Sequence, residues 1–278
     1  MIDLKLFPAE AQRTDLLRLF CFPHAGGGTS AFYRWRKVSG NELSVIPARL
    51  PGREARLNEP PVDSMSELAE TVAETISNLP AGPFALLGYS VGAHLAHQVA
   101  RRLPRIGERA PQALVVVASN APGTPAHAAA MEASPVEDLS DDQLVEHMHR
   151  KYGGIPAVVR NDPSWLAAIV PALRADLKLL RAQSFDIYEP LQCPVLAVGG
   201  LDDSYITAAG LAGWQSVTRG RLTTRQYPGG HFFLYQDFNA STPGAAGRLT
   251  SGSSGALADV LGFAQHGELR RDQEKTRG

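Results

Sequence analysis

Five short apolar runs punctuate the chain, at 16–22, 43–47, 83–87, 113–118 and 194–198, and each is closed by glycine, proline, asparagine or aspartate within a few residues. Runs this nearly continuous predict strands covered on both faces, as in a parallel sheet. Residues 222–227 read as the last strand, leading into Pro228-Gly229-Gly230. Between the runs the apolar positions take a helical rhythm. After Ser64 come Met65, Leu68, Ala69, Val72, Ile76 and Leu79 on one face, and Ser64 with Glu67 reads as a capping box. Residues 29–37, 93–103, 208–217 and 256–265 are further helical segments, whereas 1–15 reads as a loose arm and 49–61 as a polar, proline-rich surface loop.

From about 120 to about 190 the rhythm is helical without strands. Ser140 with Gln143 caps a helix carrying Leu144, Val145 and Met148, which Gly153-Gly154 stops. Asp162-Pro163 starts another, and Pro171 is expected to begin a separate one through Leu173, Leu177 and Leu180. A helical block between two strands of a parallel sheet predicts a lid over the active face. The pattern as a whole predicts a single α/β domain over 1–278, with a lid insertion at about 120–190. A low-complexity, flexible insertion is expected at about 238–255 and a frayed tail at about 267–278.

Composition narrows the class. The 278 residues are 44% hydrophobic and 20% charged, with a net charge of −1, so neither nucleic acid nor an anionic membrane is expected as a partner. The first residues show no signal peptide, and no apolar run is long enough to span a bilayer. Cys21 and Cys193 both fall in predicted strands, where buried free thiols fit a reducing, cytoplasmic setting.

The candidate chemistry begins at Gly88-Tyr89-Ser90-Val91-Gly92. A G-x-S-x-G pentad between a strand and a helix is the context of a nucleophile elbow, where a strained turn exposes the serine Oγ above the sheet. The same fold carries its triad in the order Ser, then Asp or Glu, then His, each after a strand. Ser90, the pair Asp202-Asp203 and His231 follow that order, all at predicted carboxyl ends of strands. Either aspartate could orient His231. The run Pro23-His24-Ala25-Gly26-Gly27-Gly28 follows the first strand and lacks the Lys-Ser/Thr ending of a P-loop, so it reads as an oxyanion loop. The expected oxyanion donors are the N–H groups of Val91 and Ala25. The remaining histidines, among them His94 and His97, show no metal-ligand arrangement and are expected in surface or packing roles. Neither a cofactor nor a metal is expected.

Several motifs in order resemble the type II, stand-alone editing thioesterases of polyketide and nonribosomal peptide synthases. They are Phe22-Pro23-His24-Ala25-Gly26-Gly27-Gly28, Leu50-Pro51-Gly52-Arg53 with Glu59-Pro60-Pro61, Leu139-Ser140-Asp141-Asp142, Pro171-Ala172-Leu173-Arg174-Ala175-Asp176 and Pro228-Gly229-Gly230-His231-Phe232-Phe233. The resemblance covers about 16–235. It implies an α/β-hydrolase fold with a helical lid, and a serine thioesterase that hydrolyses acyl groups from the phosphopantetheine arm of an acyl or peptidyl carrier protein. It puts the catalytic aspartate, through Gly200-Leu201-Asp202-Asp203, at Asp203. An esterase, acyltransferase or cyclase on the same residues is the alternative. The chain departs from the family's usual Gly-His-Ser-Met-Gly elbow in having Tyr89 and Val91 beside the serine, and in the segment 238–255. A monomer is expected, with Arg34, Arg36 and Lys37 as a candidate basic rim for an acidic carrier.

Overall fold

The computed structural model describes residues 3–269 except 4, 40, 42, 108, 133–135, 137, 182–188 and 239–250. The sheet has six strands, β1 (Leu17–Phe22), β2 (Leu43–Pro47), β3 (Phe84–Tyr89), β4 (Leu114–Val117), β5 (Val195–Gly200) and β6 (Leu222–Tyr227), in the order β2-β1-β3-β4-β5-β6. Every pairing is parallel. The apolar runs have this form because alternate side chains feed two cores. Phe20 and Phe22 join Leu86 and Val116 under α2 (Met65–Ser77) and α3 (Val91–Gly107). Leu19 and Cys21 join Leu87 and Val115 on the opposite face, under α1 (Tyr33–Val38) and α9 (Ser251–His266).

The chain winds outward from β1 to β2, then returns to place β3 on the other side of β1. Connections therefore diverge above the crevice between β1 and β3, which is where open parallel sheets hold ligands. Phe22 pairs with Gly88 in register, so the glycine run after β1 and the serine after β3 leave the sheet at one level.

Between β4 and β5 lie α4 (Pro125–Glu132), α5 (Asp141–Tyr152), α6 (Ala157–Arg160) and α7 (Pro163–Arg181). Leu144, Val145 and Met148 of α5 pack on Val170, Leu173 and Leu177 of α7 in a small core of their own. Ser140 and Gln143 form the complete capping box, and Gly153 ends α5 at φ 72°. Ser64 caps α2 by accepting from the Glu67 N–H.

Four expectations need correction. The arm at 1–15 is not loose: Leu6, Phe7 and Ala11 are buried in the core. Pro171 does not begin a helix; it lies inside the 19-residue α7. Its ring removes one N–H from the ladder, but the chain stays helical on both sides of it, and burial of Val170, Ala172 and Leu173 outweighs the local penalty. The segment 49–61 is not simply a surface loop. Arg53 and Arg56 are buried and paired, Arg53 with Asp176 and Arg56 with Asp3 and Glu59. The last helix starts at Ser251 rather than Ala256. Within the expected insertion at 238–255, residues 239–250 lie outside the described residues, as do 270–278 of the expected tail. A short α8 (Ala208–Ala212) and a 3-10 turn occupy the helix expected at 208–217. Among the described residues no helix is long and apolar enough to cross a membrane.

Candidate active site

Ser90 sits between β3 and α3 at φ 55°, in the left-handed region that costs a residue with a Cβ. The turn closes only because its flanking glycines lack side chains. A Cβ on Gly88 would stand 2.0 Å from the Gly92 carbonyl oxygen, and one on Gly92 2.3 Å from the Phe22 carbonyl oxygen. The backbone is thereby pressed against β1, and the serine side chain is left half-buried at the top of the sheet.

His231 follows β6 and Asp203 follows β5. The Asp203 Oδ2 lies 2.6 Å from His231 Nδ1, and His231 Nε2 lies 3.1 Å from Ser90 Oγ. A carboxylate only accepts, so Nδ1 carries the proton and Nε2 is left to accept from the serine hydroxyl. The second oxygen of Asp203 accepts from the Tyr205 N–H at 3.0 Å, which fixes the carboxylate plane. His231 and Asp203 are 6% and 8% exposed, so the bond between them is shielded from water. The adjacent Asp202 is exposed and takes a different partner. Its Oδ2 accepts from the Gly229 N–H at 3.1 Å and so ties the β5 turn to the His231 loop. Of the two aspartates, Asp203 is the one bonded to the imidazole.

The glycine run lies beside this chain. The His24 N–H at Nδ1 donates to the Ala25 carbonyl at 3.1 Å, and burial holds the pKa of His24 down to about 4, so the ring is neutral. Glu54 accepts from the N–H groups of Thr29 and Ser30 at 2.7 and 3.0 Å. A Cβ on Gly28 would strike that carboxylate at 2.4 Å. Among the described residues the Ala25 N–H has no acceptor in the chain. The Val91 N–H opens α3 and has no acceptor within the helix. Val91, at the start of α3, and Ala25, on the glycine run, therefore supply two unspent donors.

A cavity of about 940 Å³ opens over His231. Gly26 and Gly27, Tyr152, Ile169, Trp165 and Phe232 are among its walls. The Tyr152 ring, at the end of α5, stands 4.5 Å from the His231 ring. Exposed Tyr33, Leu57 and Trp165 mark the mouth. Of the basic run, Arg34 lines the cavity, while Arg36 turns to Glu10 at 2.5 Å and Lys37 rests over the Tyr33 ring. His94 and His97 are buried: His94 meets Ser119 Oγ at 2.9 Å and His97 packs edge-on against Trp214. Packing describes both, and a surface role neither. Among the described residues no group of three or more His, Cys, Asp or Glu side chains could hold a metal ion.

Three contacts of the site have no reading in the sequence alone, although Tyr89 stands out there as a departure from the usual elbow. Tyr152 reaches His231 from a helix end that its own motif does not mark. Tyr89 bonds the His231 carbonyl, and Arg53 bonds Asp176. The last pair stands in two of the quoted motifs, and that coincidence was the one available signal.

The chain is similar to known proteins along most of its length. The family model described as Thioesterase domain matches residues 17–243. The gramicidin S biosynthesis protein GrsT of Aneurinibacillus migulanus is 36% identical over 220 residues, which cover 79% of this chain and 84% of that protein. The human medium-chain S-acyl fatty acid synthase thioesterase is 31% identical over 225 residues, covering 80% and 82%. Among solved structures, the RedJ thioesterase of the prodiginine pathway in Streptomyces coelicolor superposes with a TM-score of 0.69 at 35% identity, covering 80% of this chain and 85% of that one.

Proposed function

The chain belongs to the Thioesterase domain family and is a thioester hydrolase of the α/β-hydrolase fold, and on that premise we propose that it hydrolyses acyl thioesters from the phosphopantetheine arm of a carrier protein in polyketide or nonribosomal peptide biosynthesis. One observation carries the chemistry: Ser90, His231 and Asp203 form a continuous hydrogen-bonded chain, and its histidine lines a cavity of about 940 Å³.

In this reading Ser90 is the nucleophile. As Oγ attacks the thioester carbonyl, its proton passes to Nε2 of His231, and Asp203 stabilises the imidazolium while holding its tautomer. Negative charge collects on the former carbonyl oxygen, where the Val91 and Ala25 N–H groups receive it. The tetrahedral adduct collapses, the carbon–sulfur bond breaks, and the pantetheine sulfur leaves as a thiol after taking the proton from His231. A thiol with a pKa of about 8.5 leaves readily, so little acid assistance is required of the histidine. Water then attacks the acyl-enzyme with His231 as base, and the free acid departs.

The helices between β4 and β5 serve as a lid, with Tyr152 over the histidine. The mouth at Tyr33, Leu57 and Trp165 suits a slender arm entering from a bound partner, and Arg34 supplies a positive group beside it for the arm's phosphate or an acidic carrier. The names of similar proteins support the biosynthetic setting, since GrsT and RedJ are described by the gramicidin S and prodiginine pathways. Two buried free thiols, Cys21 and Cys193, suit a reducing compartment such as the cytoplasm.

The test is a panel of acyl-carrier and acyl-pantetheine thioesters given to wild type and Ser90→Ala. Wild type is expected to release acid from both, and Ser90→Ala to lose at least about 10³-fold in kcat. A wild-type protein that leaves these thioesters intact while cleaving simple oxyesters overturns the substrate assignment.

A further inference from the structure

We propose that Asp176 and Arg53 are positioning residues for oxyanion stabilisation, through which helix α7 sets the geometry of the glycine loop. The inference rests on the reading of the Ala25 and Val91 amides as the oxyanion donors.

Asp176 lies on α7 and is 3% exposed; Arg53 lies in the segment after β2 and is 8% exposed. Their contact is a two-toothed fork. Arg53 Nη1 donates to Asp176 Oδ2 at 2.7 Å and Nη2 to Oδ1 at 2.9 Å. Neither group stops at the other. Asp176 Oδ2 also accepts from the Gly26 N–H at 2.8 Å, and Arg53 Nη1 also donates to the Gly27 carbonyl at 3.0 Å. The pair therefore grips two successive residues of the glycine loop, one by its donor and one by its acceptor.

The grip falls next to the proposed donor. The peptide unit between Ala25 and Gly26 is held at both ends, its carbonyl by His24 Nδ1 and its N–H by Asp176. The Gly27 N–H closes onto the His24 carbonyl at 2.9 Å. With these groups tied, the Ala25 N–H is left without an acceptor among the described residues, and its direction follows from the fixed plane beside it. Gly26 itself is at φ 69°, and a Cβ there would press on Leu173 of α7 at 3.3 Å, so loop and helix are in contact at the same place.

Stability alone is a poor account of this pair. Taking two charges out of water costs about as much as their attraction returns, and an apolar pair of equal volume often serves the fold as well. An apolar pair, however, offers no acceptor for the Gly26 N–H and no donor for the Gly27 carbonyl. The fork supplies both with fixed geometry, because a guanidinium and a carboxylate match in a plane. Preorganised donors are effective when they do not have to reorient as charge develops, and a displacement of about 1 Å costs on the order of 10²-fold in rate.

The experiment measures kcat, KM and the thermal midpoint on an acyl-pantetheine thioester for Asp176→Asn, Arg53→Lys, the charge-swapped double variant Arg53→Asp/Asp176→Arg, and Ser90→Ala. In Asp176→Asn the amide breaks one tooth of the fork, and kcat is expected to fall roughly 10- to 100-fold with KM within about 2-fold. Arg53→Lys keeps the charge but reaches only one partner, and a loss of roughly 10-fold is expected. The swapped pair restores attraction yet turns a cation toward the Gly26 N–H, so its kcat is expected to stay at least about 10-fold low even where its midpoint recovers. Wild-type kcat in folded Asp176→Asn or Arg53→Lys, or a swap that recovers kcat with the midpoint, overturns the proposal. Arg53→Lys, the mildest change, decides the matter if the others do not fold. Turnover retained in Ser90→Ala overturns the serine mechanism itself, and this proposal with it. Turnover lost only there, with the Asp176 and Arg53 variants intact, leaves the mechanism standing and removes the positioning role.

Discussion

The Tyr89 hydroxyl donates to the backbone carbonyl of His231 at 2.7 Å, across 142 residues of sequence, so the residue before Ser90 holds the loop that carries its partner. Tyr89 is fully buried, its ring stacked on Phe232 and tilted against Tyr235, and burial raises its pKa well above the ordinary value, so it remains a donor. The elbow of the family that the sequence resembles usually has histidine at this position. Here a phenol fastens β3 to the loop after β6.

Tyr89→Phe keeps the ring and removes the bond. The His231 carbonyl loses its partner, which costs about 1–3 kcal/mol in a buried setting. The expected outcome is a lower thermal midpoint and a kcat reduced roughly 10-fold with KM little changed, since His231 gains freedom relative to Ser90. Steady-state kinetics together with a melting curve check it, and a variant with both at wild-type values would remove the role assigned to the hydroxyl.

Gly88→Ala is expected to prevent formation of the elbow rather than to slow the chemistry. The new methyl would meet the Gly92 carbonyl oxygen at 2.0 Å, a contact that backbone on both sides cannot relieve. A destabilisation of about 3 kcal/mol or more follows, seen as insoluble protein or a sharply lowered denaturation midpoint.

Acid should weaken the fold through His97. Burial, with Arg101 and Arg102 close by, lowers its pKa from 6.5 to about 3. The unfolded chain binds this proton near pH 6.5 and the folded one only near pH 3, so the contribution to stability is complete above pH 6.5 and lost as pH falls toward 3. At pH 4.5 the loss from this residue is on the order of 2–3 kcal/mol. His97→Gln is expected to flatten the decline of the thermal midpoint between pH 7 and 4.5; an unchanged slope would assign the decline to other groups.

Tyr152→Ala removes the ring that stands 4.5 Å from His231 and forms part of the cavity wall. A wider cavity should favour bulkier acyl groups. The ratio of kcat/KM for a branched over a short linear acyl-pantetheine is expected to rise several-fold, at the scale of one or two methylene contacts. Competition between the two substrates reads this ratio directly.

Strand positions, the capping box at Ser140 and the order of Ser90, the Asp202-Asp203 pair and His231 were legible in the sequence because each turn and cap depends on neighbours within a few residues. Continuous apolar runs declare buried strands, and a glycine-flanked serine declares a strained turn wherever it occurs. The choice between Asp202 and Asp203 was open to residue-level reading and came only from the family resemblance. In the fold it is decided by the pairing of β5 with β6, which turns one carboxylate to the His231 imidazole and the other to the Gly229 N–H.

By itself the sequence determined which elements form, their order, and which strand ends carry reactive side chains, since periodicity and turn chemistry are local properties of the chain. Only the tertiary structure decided who meets whom. Placing β3 beside β1 brings the Ser90 turn against the glycine run, and packing α7 over that run joins Asp176 to Arg53 across 123 residues. The same packing carried α7 straight through Pro171, where local propensity predicted a break. Contacts of this kind depend on strand register and helix placement, which the whole core sets together and no short stretch of sequence encodes.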